Sequence, residues 1–254
     1  MRLAACLLAI GLGGPALACD YPGPPPGSLE ARAETGDILW AGYSDATDRY
    51  GHGILGDVWE AGGLRVSTGM NGPCSLSIIL PRHSVFEDTG PRIVDLDGDN
   101  RNEVIAVETH RKTGAALAVY GLRNGRLRKI AATPNIGHTH RWLAPVGAAD
   151  LDGDGHVEIA YIDRPHLAKT LRIWRYRKGR LEHVADRSGM TNHKIGWDHI
   201  PGGIRDCGTG PELITADADW RRIMASTLHG GQITSRAVGR YTGPDSLNAA
   251  LTCP

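Results

Sequence analysis

Two short stretches of this chain concentrate carboxylates at a spacing that suits a hard cation. Asp150-Leu151-Asp152-Gly153-Asp154-Gly155-His156-Val157-Glu158 alternates three acids with spacers and closes on a fourth at position nine. Asp95-Leu96-Asp97-Gly98-Asp99-Asn100-Arg101-Asn102-Glu103 repeats the pattern. Ca²⁺ takes six to eight oxygens from carboxylates and backbone carbonyls, and loops of this kind supply them around a glycine turn. The expected ligands are Asp95, Asp97, Asp99, the carbonyl of Arg101 and Glu103, then Asp150, Asp152, Asp154, the carbonyl of His156 and Glu158. Two structural Ca²⁺ ions follow, each pinning one hairpin.

The flanks decide what holds these loops. An EF-hand needs helices on both sides and a bidentate acid at position twelve, where this chain has Ala106 and Tyr161. Instead each loop follows a short apolar run and enters a β-rich one, Val104-Ile105-Ala106-Val107 and Ile159-Ala160-Tyr161-Ile162. Strand, acid loop, strand is the unit. It resembles the calcium loops of FG-GAP/VCBS repeats, the blades of integrin-type β-propellers, in a bacterial exported form. The resemblance implies adhesion or recognition, although fold alone does not fix function.

Self-similarity extends further. Asp95 and Asp150 are 55 residues apart, His83, His138 and His193 are spaced by the same interval, and so are Trp142 and Trp197. Four strands fit each repeat. The second reads 92–95, 103–108, 115–121 and 126–131, with an Asn124-Gly125 hairpin. The third reads 147–150, 158–163, 170–176 and 180–185, turning at Lys178-Gly179. The fourth reads 202–205, 212–217, 222–227 and 232–238. The first is degenerate, at 38–44, 53–58, 64–67 and 76–80, with the acid loop reduced to residues 45–53. Four-stranded antiparallel units repeated radially make propeller blades. The expectation is an all-β propeller of four blades over residues 37–240, with a Pro-rich segment at 19–36 and a closing tail at 241–254. The alternatives are a fifth blade built from terminal segments or a ring closed by a second subunit.

In such a ring the acid loops occupy one face, and the opposite face gathers the blade-to-blade connections. That places His83, His138, His140 and His193 beside Asp57, Glu108, Asp163 and Asp217, which are expected at the ends of second strands. Histidines beside carboxylates can bind a transition metal or exchange protons near neutral pH. The same residues also suit hydrogen bonds between blades. No Ser-His-Asp, Cys-His or zinc-helix motif names a reaction. Two functions stand: a recognition module for a protein or glycan, and a hydrolase or lyase with His, Asp and Glu at the axis. Convergence of the histidines into one concave pocket separates them.

Residues 1–18 read as a secretory signal: Arg2, an apolar run, then Ala16-Leu17-Ala18. The protein is expected in the periplasm or secreted, with lipidation at Cys19 as the competing fate. Cys19, Cys74, Cys207 and Cys253 remain after cleavage, an even set that fits two disulfides among three pairings. Propeller geometry pairs Cys74 with Cys207 and Cys19 with Cys253, clamping the closure. A net charge of zero with mixed signs gives no electrostatic case for nucleic acid. No further apolar run is long enough to span a membrane, and a monomer is expected.

Overall fold

The computed structural model describes residues 22–69 and 76–253. The signal-type segment, Cys19 and Cys74 lie outside them. The described chain is all-β, in three antiparallel sheets, with one short helix near the C-terminus.

The first unit holds β1 (Ala31–Arg32), β2 (Trp40–Thr47), β3 (Glu60–Ser67) and β4 (Leu76–Ile79). The second holds β5 (Ser84–Phe86), β6 (Arg92–Val94), β7 (Glu103–His110), β8 (Gly114–Arg123) and β9 (Arg126–Ala132). β5 pairs with both β3 and β7, which fuses the two units into one nine-stranded sheet. The third unit is a separate sheet of β10 (Leu143–Ala149), β11 (Glu158–Asp163), β12 (Thr170–Arg177) and β13 (Arg180–Ser188). The fourth contains β14 (Met190–Thr191), β15 (Gly203–Asp206), β16 (Pro211–Asp217), β17 (Arg222–His229) and β18 (Gln232–Arg240). Helix α1 (Pro244–Ala249) follows.

The physical logic of each unit is visible in burial. The middle strands of the second unit, β7 and β8, are buried at nearly every position, because neighbours cover both faces. The outer strands β9 and β18 are largely exposed and carry Arg126, Arg128, Lys129, Arg236 and Arg240, charges that discourage edge-to-edge pairing. Two-residue turns join the last two strands. Asn124 and Gly125 have φ of 54° and 70°, Lys178 and Gly179 have 51° and 73°, as a hairpin matching right-handed strand twist requires.

The second, third and fourth units follow the expected strands. The first does not. Residues 53–58, expected as its second strand, form a loop, and β2 pairs directly with β3 from Trp40↔Ser67 to Thr47↔Glu60. Gly53 and Gly56 adopt φ of 62° and 98°, which breaks the strand there. Asp57 is therefore not at a strand end. It sits in a β2–β3 loop and accepts a hydrogen bond from the Trp59 amide. The first strand of this unit is β1, within the segment expected to be irregular.

The disulfide expectation is also corrected. Cys207 bonds Cys253, with sequence separation 46. The tail returns to the fourth unit rather than to the N-terminus: Leu247 is fully buried among Ile214, Ala216 and their neighbours, and Arg205 Nη1 donates to the Ala250 carbonyl at 2.8 Å. Docking the tail on β16 brings Cys253 to the β15–β16 loop.

Candidate functional site

Both acid loops join a first strand to a second, β6 to β7 and β10 to β11. Asp95 Oδ1 and Oδ2 accept the amides of Gly98 and Asn100 at 2.9 Å each, and Asp150 does the same for Gly153 and Gly155 at 2.8 and 2.9 Å. The Arg101 and His156 amides donate to Asp99 and Asp154. One side-chain oxygen each of Asp95, Asp97 and Asp99 lie within 4.8 Å of one another, as do those of Asp150, Asp152 and Glu158. The clustering raises the pKa of Asp97, through burial and then the charges of Asp99 and Asp95. Burial, with the nearby charge of Asp97 adding to it, pushes Glu103 up to about 7. Oδ1 of Asp152 is buried without a protein partner. Crowded oxygens and an orphaned one fit a hard cation. Glu103 and Glu158 also close their loops, since their Oε2 atoms accept the amides of Leu96 and Leu151 at 3.1 and 2.9 Å.

At the other ends of the strands, loops from three units meet. The β2–β3 loop carries Tyr50, His52 and Ile54 across to the third and fourth units, where the Gly196 amide donates to the Ile54 carbonyl at 3.0 Å. His52 stacks on His140 at 4.8 Å between ring centroids and 11° between planes, and Tyr50 Oη accepts the His140 amide at 2.8 Å. A Cβ at Gly114 would collide with the carbonyls of His138 and Arg141, so glycine there lets the β9–β10 connection close onto the β7–β8 turn. The result is a pocket of about 210 Å³ lined by His52, Ile54, His140, Arg141, Trp142, Arg164, Pro165, His166, Leu167 and Ile195.

Its electrostatics rest on buried partners. His52 Nδ1 lies 2.5 Å from Oε1 of Glu87, which is fully buried and also accepts from Thr109 Oγ1 at 2.7 Å. A carboxylate accepts, so Nδ1 carries a proton in this contact. His193 Nε2 donates to the Trp197 carbonyl at 2.9 Å, so its Nδ1 accepts from His166 Nε2 at 3.3 Å. Burial lowers His193 to about 4 and also lowers His166, so both are neutral at pH 7. His140 and Arg164 hold φ of 55° and 46°, a conformation that side chains with a Cβ adopt at a cost. Both line the pocket.

Of the residues expected on this face, only His140 lines this pocket. His83 is exposed and faces His110, 5.0 Å between centroids, near Arg111 and Lys112. His138 is exposed, and His193 is fully buried against Trp142 and His166. Their equal spacing is not structural equivalence. Phe86, Leu143 and Met190 occupy matching places opposite Glu108, Asp163 and Asp217, and the three histidines fall at different offsets from them. The acids at the ends of second strands are paired: Glu108 with Lys129, Asp163 with Arg164 and Arg172, Asp217 with Arg222. His166, expected in a loop adjoining this face, does line the pocket, whereas His52 and its partner Glu87 were missed by sequence reasoning. A histidine in a glycine-rich insertion was the available signal for His52; Glu87 gave none.

Residues 95–161, about a quarter of the chain, match the family model of an FG-GAP-like repeat, which spans both acid loops and the strands between them. No curated protein matches the chain. Among the described residues no helix is long and apolar enough to cross a membrane.

Proposed function

From a chain that carries an FG-GAP-like repeat, we propose an exported, monomeric, calcium-stabilised four-bladed β-propeller that seats one group of a protein or glycan in the His-lined pocket. The β5 bridge joins the first two strand units, and the Cys207–Cys253 bond closes the tail onto the fourth, a bond that suits an oxidising compartment. The observation that carries the reading is convergence: His52, His140 and His166 reach one concavity from three separate loops. A volume of about 210 Å³ is that of about seven waters, enough for a single sugar ring or one side chain. Ile54, Trp142, Leu167 and Ile195 supply apolar contact, and Arg141 supplies charge for an acidic group. Thermal-shift screening of the mature protein against neutral and acidic monosaccharides tests this. An acidic sugar should raise the melting temperature, and Arg141→Ala should remove the response. A response to none, or one indifferent to Arg141 and Leu167, would refute the pocket as the seat.

A second reading is a hydrolase, favoured by the Glu87–His52 pair. A carboxylate that fixes the imidazole tautomer prepares the other nitrogen as a general base. Hydrolysis of acylated or glycosidic substrates that disappears in both His52→Ala and Glu87→Gln would support it.

A further inference from the structure

Beside the pocket, the connection between β14 and β15 carries Lys194, whose ammonium sits over three aromatic rings. Nζ lies 4.8 Å from the Trp220 centroid, 5.5 Å from Trp197 and 5.6 Å from Tyr241. The rings come from three segments and pack on one another: Trp197 on Trp220 at 5.4 Å and Trp220 on Tyr241 at 4.9 Å, while His199 stacks on the Trp197 face at 5.2 Å. All three cage rings are partly exposed, and Lys194 is exposed.

The sequence maintains this cage against a conformational preference. Trp220 holds φ of 57°, in the left-handed region that a bulky side chain rarely adopts. Asp217 builds the turn that holds it there: the Trp220 amide donates to the Asp217 carbonyl at 3.0 Å, and Asp217 Oδ1 takes the amides of Arg221 and Arg222. Glycine would hold the same turn without strain, but it would leave no indole. Trp220 and Tyr241 pack on the buried cluster around Ile214 and Leu247 with one side, and the backbone cost borne to leave the rest of the indole partly exposed points to recognition.

We propose that Trp197, Trp220 and Tyr241 form a binding site for a methylated ammonium group, with Lys194 as its tethered internal occupant. Aromatic faces attract cations through their quadrupoles, and cages of two or more rings select quaternary ammonium because it is weakly hydrated. The lysine shows that the cage accepts a cation. Being tethered, it competes at an effective concentration in the millimolar range, so an external ligand must displace it.

Tetramethylammonium chloride, titrated against sodium chloride at equal ionic strength and followed by tryptophan fluorescence, tests this on the mature protein. Lys194→Ala should show saturable quenching specific to tetramethylammonium, with a midpoint roughly tenfold below that of the wild type. Adding Trp220→Ala should abolish it. Lys194→Met, which keeps the apolar stem, serves if the alanine variant melts early. Equal responses to tetramethylammonium and sodium in the Lys194 variants would overturn the proposal and leave Lys194 as a staple for its own loop.

Discussion

Arg175 donates from Nη2 to Oδ2 of Asp152 at 2.7 Å, and the same guanidinium reaches Asp154 and Glu158. An internal cation thus shares the acid set of the third unit. In the second unit no arginine holds that register position, and Arg123, further along β8, stands back with Nη2 3.7 Å from Glu103. Two loops of nearly the same sequence are therefore electrostatically unequal.

The first prediction follows from that inequality. Calorimetric titration with Ca²⁺ should resolve a tighter class of site, lost in Asp97→Asn, and a weaker one, lost in Asp150→Ala. Affinities on the order of 10⁻⁴–10⁻³ M are expected, the range of weak structural sites. Arg175→Met should strengthen the weaker class several-fold by removing its competitor. Unchanged affinity in that variant would show that Arg175 and the ion do not compete.

Glu60 sets a pH dependence. Burial, then the charges of Glu87, Asp57 and Asp88, push it up to about 10, against about 4.3 in an unfolded chain. The folded protein thus keeps a proton that the unfolded chain releases. The stabilisation is complete below about pH 4 and is lost as pH rises through 10, by up to about 1.4 kcal/mol per pH unit. Glu60→Gln mimics the neutral acid, so its stability should gain on wild type from pH 5 to 9 in denaturant unfolding. Parallel pH profiles would refute the assignment.

The Glu87–His52 contact ties the β2–β3 loop to the second unit. Glu87→Gln weakens a charge-assisted bond and should cost about 1–3 kcal/mol. The specific signature is local: amide hydrogen exchange in residues 48–59 should quicken more than in β7 or β8. Uniform acceleration would mean that Glu87 supports the whole sheet instead.

Non-reducing peptide mapping should recover Cys207 linked to Cys253. Cys253→Ser should lower stability by about 2–4 kcal/mol and free the tail, with α1 exchanging first. A Cys74–Cys207 peptide would restore the pairing expected from ring geometry.

Much of the fold was legible because the signals are local. The acid loops, the Asn124-Gly125 and Lys178-Gly179 turns and the apolar middle strands each depend on a few neighbouring residues, and they located the strands of three units within a few positions. The first unit was not legible, since its glycines permit strand and loop equally, and the choice fell to pairing between β2 and β3. The His83, His138 and His193 spacing misled because sequence intervals count residues, whereas β5, β10 and β14 are preceded by connections of different lengths.

What the sequence determined by itself, then, is the repeating strand–loop–strand unit and the clustering of its loop carboxylates, which lie close along the chain so that geometry follows from turn type. Only the tertiary structure decided which histidines meet, which acid orients His52, what cation shares the third loop, and which cysteine closes the tail. Glu87 lies 35 residues from His52, and Arg175 lies 23 from Asp152. Contacts at such separations are set by how sheets and loops pack, and no local pattern encodes them.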